Sequence, residues 1–513
     1  MTNYLKDLNL NYISSFLLII FPISLVAGSF VAEISMNGLS IIFLYKFFKN
    51  KNFNFFRTNF FLVFLFFYII ILISVIFSNY TEEILFKNFF YFRYILFTFA
   101  IVYLLKENNN LYLVVYKVLS VVFLTLSIDG FIQFFFDYNI LGNPKIRPDR
   151  LTGLFGDKMI LGSYLFRILP LIVGLFFFNI EALNKRQKIL GIFIIFISFI
   201  TIFLSGERMP LISIIFYFIS LIIFINISKK IKLLFFSIIF STIIIVLSIS
   251  PTIFDRHIKQ TIDQVNFNFD KKNFFSNFLF YERTYSTAIN GFLDRKIIGH
   301  GAKSFRYFCK EARYVDKLPM SFKEYIVGDL LDGKEGFISK IFFKKGDLVR
   351  SGDPVFNYKI NGIEETFFIQ DKTLPKEFYF LRIKLPPVNE QNKLKPLQLF
   401  NIILEINYKQ NGCTTHPHNF YIQLLSETGI IGFITIFSIF IYLIFLVLRN
   451  YFFSFQKKQK NLMTNFQICL IVGFITTLLP VIPNGNFFNN WINMIIFYPV
   501  GFYLSTLLNK NKL

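Results

Sequence analysis

Apolar stretches of about 20 residues recur from one end of the chain to the other, and few folds are compatible with them. A segment of that length spans the hydrocarbon core of a bilayer as one helix. About twelve can be read, at residues 13–32, 34–48, 59–78, 89–105, 111–136, 159–180, 189–205, 209–228, 233–250, 419–448, 465–483 and 488–508. Charged residues make up 16% of the 513 and hydrophobic residues 54%, whereas soluble domains are roughly 25% charged. That excludes a soluble globular enzyme and a disordered chain. The expected fold class is an all-α polytopic membrane protein with about 12 transmembrane helices. The first segment ends on the cleavable-looking Ala27-Gly28-Ser29, but only Lys6, offset by Asp7, precedes it and many spans follow. It reads as an uncleaved first helix.

The net charge is +22, which at first sight suggests nucleic acid. The positions of the bases argue for the lipid bilayer instead, with no nucleic acid. Lys46, Lys49, Lys51 and Arg57 share one short loop, Lys185, Arg186 and Lys188 a second, and Lys229, Lys230 and Lys232 a third. Arg449, Lys457, Lys458 and Lys460 make a fourth, and Lys510 and Lys512 stand at the end. With a cytoplasmic N-terminus, all of these fall on the inner side, as do both termini. The alternate loops 79–88, 137–158, 205–208 and 484–487 then face outward. Three divisions follow: 1–250 with transmembrane helices 1–9, 251–417 as a large periplasmic domain, and 418–513 with transmembrane helices 10–12. Within the periplasmic part, residues from about 325 to 410 read as a β-rich insert, with alternating apolar runs and Gly and Asp-Pro turns.

Of three cysteines, Cys469 lies in a span, while Cys309 and Cys413 bracket the insert. The last two are either a disulfide or two thiols, and an oxidising compartment favours the disulfide.

Polar residues gather where the chain leaves the outer side of the membrane, a placement that is costly and therefore informative. They are Asp129 and Gln133, then Arg147 and Arg150, then Glu207 and Arg208, then Arg283, and finally His416 and His418. Arg93 and Arg167 fall within spans. The bland reading of any one such arginine is a headgroup anchor. Together they suit phosphate or pyrophosphate, which guanidinium forks bind in bidentate fashion. The most informative stretch runs from Cys413 to Gly429. Pro417 suits a first helical turn, and His418 and Asn419 then stand at a helix N-terminus, where anions bind. Asn419, Gln423 and Glu427 recur every four residues and form a polar stripe that should face the protein interior. His257 and His300 look incidental. His416 and His418 supply only two ligands, so no metal is expected. No P-loop, dinucleotide-binding glycine pattern or serine nucleophile elbow occurs.

The stretch from His416 to Gly432 resembles the O-antigen ligase and polymerase superfamily, in which a His-Asn pair opens a helix that runs into Glu-Thr-Gly. Further elements follow the same order: Gly130-Phe131-Ile132-Gln133, Arg150-Leu151-Thr152-Gly153-Leu154-Phe155-Gly156, Leu169-Pro170, and Ser205-Gly206-Glu207-Arg208. Then come Arg283, the run Gly299-His300-Gly301-Ala302-Lys303-Ser304-Phe305, and Asn484 to Asn490. The chain departs at Asp157, where many members have Asn. The resemblance covers residues from about 120 to 505. It implies a glycosyltransferase that moves a glycan from undecaprenyl pyrophosphate to a lipid A-core acceptor at the periplasmic face of the bacterial inner membrane. It makes His418, Arg208 and Arg283 the expected catalytic residues. Arg150 matches the family's Arg of the Thr-Gly-Leu-Phe-Gly element; it and, by this chain's own pattern, Arg147, Asn419 and Arg93 are the expected donor pyrophosphate ligands, and no cofactor is expected. His418 is then either a base for the acceptor hydroxyl or a donor to the pyrophosphate.

The alternative is a polymerase that joins the glycan to a second lipid-linked glycan. The Thr-His-Pro-His-Asn entry and the long preceding loop favour the ligase. A transporter of lipid-linked glycan would need charges along a path through the membrane, whereas these cluster at one face. Residues Gly336 to Val355 are similar to the hairpin of biotinyl/lipoyl-like domains, though ordinary hairpins fit equally well. No Lys beside a Met stands at a turn tip, so no attached group is expected.

Overall fold

The computed structural model describes residues 2–50, 53–264, 281–311, 313–314, 323–326, 336–342, 348–350, 352–368, 377–383, 399–406, 413–455, 463–480 and 482–508. Lys51, Lys457, Lys458, Lys460, Lys510, Lys512 and the 343–347 turn of the expected hairpin lie outside them. The chain divides into two compact units, one of residues 1–279, 295–304 and 416–513, the other of residues 280–294 and 305–415.

The first unit is helical. Its helices are α1 (Thr2–Ala27), α2 (Ser29–Asn50), α3 (Asn59–Ile76), α4 (Thr81–Phe89), α5 (Arg93–Glu107), α6 (Asn110–Phe136), α7 (Leu161–Phe178), α8 (Lys185–Leu204), α9 (Arg208–Phe224) and α10 (Lys229–Ile249). Helices Phe420–Phe455, Asn465–Thr477 and Asn490–Leu508 complete it. Among the described residues, nine helices are long and apolar enough to cross a membrane. Each expected span contains a helix, but three of these helices are not among the nine: Arg208–Phe224 and Asn465–Thr477, with only 17 and 13 residues, and Asn490–Leu508, with 19. The first two spans were expected to divide near Glu33. The chain breaks instead at Gly28, with a φ of 142°, and Glu33 lies inside α2.

Local chemistry sets several starts. Thr58 accepts the Phe61 N–H at 3.3 Å ahead of α3. Asn184 with Gln187, and Thr464 with Gln467, form reciprocal capping boxes. The interior is aromatic: the Phe21 ring lies 4.8 Å from Phe97 and 4.9 Å from Tyr498. Much of the outer surface is apolar as well. Leu233, Leu234, Ile244 and Ile245 on α10 are all at least half exposed. A bilayer is the solvent that such a surface requires.

Among the described residues, the second unit holds helix Glu282–Asp294, a turn of helix at Phe305–Phe308, and seven strands. The strands are β1 (Lys323–Ile326), β2 (Gly336–Ile341), β3 (Leu348–Arg350), β4 (Pro354–Ile360), β5 (Ile363–Phe368), β6 (Glu377–Ile383) and β7 (Leu399–Ile406). They form two antiparallel sheets, ordered β1-β7-β6-β3 and β2-β4-β5. The β4–β5 hairpin turns on Asn361 and Gly362, both at positive φ, the pairing that a two-residue type I′ turn requires. The expected hairpin is divided: β2 pairs with β4, while Leu348–Arg350 between them joins the other sheet. A bulge shifts the β2–β4 register between Ile338 and Lys340. Cys309 and Cys413 are joined in a disulfide that closes this insert at its neck.

Candidate functional site

The α8–α9 turn sits beneath the loop that joins α6 to α7. Ser205 O accepts the Leu151 N–H at 3.1 Å. Gly206 has a φ of +68°, and a Cβ there would fall 2.0 Å from the Asp149 carbonyl oxygen. Only glycine permits that approach. Glu207 is buried. Its Oε1 accepts the Gly162 N–H at 2.7 Å, and its Oε2 accepts the Ser163 hydroxyl at 2.7 Å. The carboxylate therefore caps the start of α7, where the helix dipole favours a negative charge. Burial pushes the Glu207 pKa up, against the Ser163 hydrogen bond and the nearby Arg150 and Arg167.

The α6–α7 loop is fixed from below. Gln133 Oε1 accepts the Thr152 and Gly153 N–H groups, each at 2.8 Å, and Asp129 Oδ1 accepts that of Ile140 at 2.9 Å. Asp129 and Gln133 are thus anchors of the loop that carries the arginines. Arg147 pairs with Asp149 at 3.0 Å, and Arg150 Nη2 donates to Met159 O at 3.4 Å. The buried Nε atoms of Arg150 and Arg167 make no hydrogen bond among the described residues.

The segment after α10 closes the cluster. It runs through helix Pro251–Phe254, a π-helical turn Asp255–Lys259 and helix Gln260–Gln264. Arg208 Nε donates to Arg256 O at 2.9 Å, and Arg256 Nε donates to Gly206 O at 3.0 Å. Gln260 Oε1 accepts from both Arg208 Nη2 at 2.9 Å and Arg256 Nη1 at 2.8 Å. Asp149 Oδ2 lies 3.4 Å from Arg256. Burial, then the neighbouring Arg208 charge, lowers the Arg256 pKa to about 10. Asp149 and Glu207 thus stand among Arg147, Arg150, Arg167 and Arg256, with Arg208 beside Arg256. A partly buried cluster of guanidiniums is the kind of group that binds anions in bidentate fashion. Beside it opens an apolar groove of about 200 Å³ between α9 and α10, with Arg208, His257 and Thr261 on its wall. His257 Nε2 lies 3.0 Å from Phe203 O.

His418 occupies another part of the same unit. Its φ of +60° is unusual for a residue with a Cβ. The helix was expected to include Pro417 in its first turn, but it begins only at Phe420. Asn419 is its cap: Oδ1 accepts the Tyr421 and Ile422 N–H groups at 3.0 and 3.1 Å, while Nδ2 donates to Pro480 O at 2.7 Å and Ile482 O at 3.4 Å. The Asn419 side chain is therefore committed to its own backbone and to the 480–482 segment. His418 O accepts the Asn484 N–H at 2.7 Å, and the His416 and His418 rings lie 4.1 Å apart. Burial lowers the His418 pKa, which favours the neutral ring.

The polar stripe faces inward. Gln423 Nε2 donates to Glu427 Oε2 and Asn486 Oδ1, each at 2.9 Å, and its Oε1 accepts the Phe487 N–H at 2.9 Å. It thereby fastens the 484–488 segment against the helix. The helix breaks at Gly429, with a φ of +68°. Residues 296–301 cross it there: His300 and Gly301 donate to Ser426 O and Glu427 O at 3.0 and 2.8 Å, and Ile430 donates to Lys296 O at 2.8 Å. The resemblance elements Gly-x-Gly and Glu-Thr-Gly are the two halves of this junction.

Of the expected site residues, Arg147, Arg150 and Arg208 stand together. His418 and Asn419 form a second locus, tied through the 484–490 segment to Trp491, whose ring is 6.5 Å from Phe155 in the α6–α7 loop. Arg93 is already paired with Glu33 at 3.5 Å, and Glu33 also accepts from Asn490 at 2.7 Å. Arg283 belongs to helix Glu282–Asp294 of the second unit. Sequence reading missed Arg256 and Gln260 and took His257 as incidental. Their segment has no motif, and only a basic residue soon after the apolar run ending at 250 marked it. No protein-family model matches the chain, and no curated protein matches it.

Proposed function

We propose that this protein transfers a glycan from undecaprenyl pyrophosphate to a lipid A-core acceptor, as an O-antigen ligase does. The observation that carries this reading is the gathering of Arg147, Arg150, Arg167, Arg208 and Arg256 around Glu207 and Asp149. In the reaction the acceptor oxygen forms a bond to the anomeric carbon as the bond from that carbon to the pyrophosphate oxygen breaks. The electron pair leaves with the pyrophosphate, and the acceptor's proton goes to His418. Guanidiniums at Arg147, Arg150 and Arg208 stabilise the departing charge. A His418 kept neutral by burial is in the form that accepts a proton. The positive-inside pattern of the loops supports a reaction at the periplasmic face of the inner membrane in this reading, with twelve spans and both termini in the cytoplasm. Asn419 and Arg93 take supporting rather than pyrophosphate-binding roles in this scheme.

Deletion of the gene, followed by a lipopolysaccharide gel, tests the reading. Bare core with long chains held on the lipid carrier is the expected outcome. Core bearing a single repeat would assign polymerisation instead, and an unchanged ladder would remove lipopolysaccharide as the product. Complementation with His418→Ala should leave the core bare while the protein stays in the membrane. A normal ladder from that variant would remove His418 from the chemistry.

A further inference from the structure

The β2-β4-β5 sheet of the second unit has one face that packs and one that does not. Strand register sets the division, since paired residues share a face and neighbours along a strand alternate. Ile338, Phe356 and Tyr358 lie on the packed face and are at most 7% exposed. On the other face Phe337, Lys359 and Glu364 stand opposite one another across the three strands, as do Lys340, Asn357 and Thr366. The bulge between Ile338 and Lys340 builds this face. It puts Ser339 and Lys340 on one side and carries Phe342 there too; without it, Lys340 and Phe342 would turn towards the core. On β5, Phe368 alternates onto the same side as Glu364 and Thr366. Phe342 and Phe368 are 38% and 44% exposed.

A hydrogen-bond network crosses all three strands on that face. Glu364 Oε1 accepts from the Ser339 hydroxyl and from Asn357 Nδ2, the latter at 3.2 Å, and Asn357 Oδ1 accepts from the Thr366 hydroxyl at 2.9 Å. The carboxylate is thus held by one oxygen, and its Oε2 accepts no hydrogen bond among the described residues. The Lys340 ammonium lies 5.0 Å from the centre of the Phe342 ring, and that of Lys359 lies 6.0 Å from that of Phe337. A protein interface has an apolar centre and a polar rim. Here the order is reversed, with the polar network in the middle and phenylalanines towards the two ends. That order suits a sugar, whose C–H face packs on an aromatic ring while the hydroxyls at its edge both donate and accept. Two ammoniums against one carboxylate among the described residues of this face make it complementary to an acidic sugar.

We infer that this face of the β2-β4-β5 sheet is a binding site for an acidic oligosaccharide. Sugar rings stack on Phe342 and Phe368, their hydroxyls pair with Glu364, Asn357 and Thr366, and Lys340 and Lys359 receive the acidic groups. The site uses no residue of the arginine cluster. It therefore goes beyond the transfer reaction and holds or fails independently of it.

The test applies the full-length, detergent-solubilised protein to an immobilised array of neutral and acidic bacterial oligosaccharides, and then titrates the strongest binder by calorimetry. The parent should bind acidic oligosaccharides above neutral ones. Phe342→Ala/Phe368→Ala should weaken that binding about 10-fold, the size of two lost aromatic contacts. Glu364→Ala should weaken it by about 10-fold as well, through the lost charge-assisted hydrogen bonds. Both variants change exposed side chains, so they should melt with the parent, which separates loss of binding from loss of fold. Lys340→Ala/Lys359→Ala should remove the preference for acidic over neutral sugars. Ile363→Ala serves as the control, because Ile363 is exposed but pairs with Ile360 on the opposite face; it should bind as the parent does. An array with no saccharide bound overturns the inference, and so does binding that the Phe342→Ala/Phe368→Ala and Glu364→Ala variants both keep. A dimer of the parent that Phe342→Ala/Phe368→Ala splits would overturn it too, by giving the face to a second copy of the chain. None of these results touches the transfer reading, which the lipopolysaccharide gel decides.

Discussion

At the scale of single residues, His257 shows how burial sets chemistry. Its ring packs 5.3 Å from Phe203 and lies against the carbonyl of the same residue. Burial pushes its pKa from 6.5 down to about 4. The folded protein therefore resists protonating this ring, whereas the unfolded chain accepts a proton below about 6.5. The stability it contributes is complete above that value and declines as pH falls towards about 4. The whole effect amounts to about 3 kcal/mol. Comparison with His257→Gln, whose amide N–H can still reach Phe203 O, isolates it. Melting curves between pH 7 and 4 should show the parent's advantage over this variant shrinking as the pH drops. A difference that holds constant across that range would mean the ring is not held neutral. At the same scale, Arg208→Lys keeps a charge but loses the fork that reaches Arg256 O and Gln260 together. Transfer should fall about 100-fold in a reconstituted assay, with the protein level in the membrane unchanged. Arg208 was legible because it stood in the recognisable Ser-Gly-Glu-Arg turn. Arg256 was not, because its significance comes from contacts 48 to 50 residues distant in the chain.

At the scale of elements, the break at Gly429 is the clearest case of sequence and structure explaining each other. An uninterrupted helix would satisfy the Ser426 and Glu427 carbonyls internally. At the break they accept instead from His300 and Gly301, and the freed Ile430 N–H goes to Lys296 O. A Cβ on Gly429 would lie 2.1 Å from Ile297 O, so the crossing segment demands glycine. Gly429→Ala should lower the melting temperature of the solubilised protein markedly, since a strained φ costs about 1 kcal/mol or more even before the clash. Hydrogen exchange should quicken at the His300 and Gly301 amides first. Slow exchange there in the variant would show that the junction tolerates a side chain. Both glycine motifs were visible in the sequence, but their meeting was not. Apolar periodicity locates helices and says nothing of where one is broken by another segment. The same limit moved the first break from Glu33 to Gly28 and delayed the helix after Pro417 until Phe420.

At the scale of the whole molecule, the membrane-spanning helices were legible because each is a continuous local run of apolar residues. The β insert was legible only as β. Its pairings are non-local: β1 meets β7 with Lys323 opposite Ile402, and β3 leaves its neighbours for the other sheet. Alternation reports a strand and a buried face, but not its partner. The one long-range link that could be read was Cys309 to Cys413, and the disulfide is there, 104 residues apart in sequence. In the chain-entropy treatment, closing a loop of that length stabilises the folded state by about 4–5 kcal/mol. The seven described strands lie inside the loop, so the benefit falls on the second unit. The Cys309→Ser/Cys413→Ser variant of the full chain should therefore show a new early melting step, with the later helical transition kept. Limited proteolysis reads the same link directly. A cut within residues 315–412 should leave the halves of the parent together on a non-reducing gel and part them only after reduction. Halves that separate without reductant would mean that the two cysteines are not paired in the mature protein.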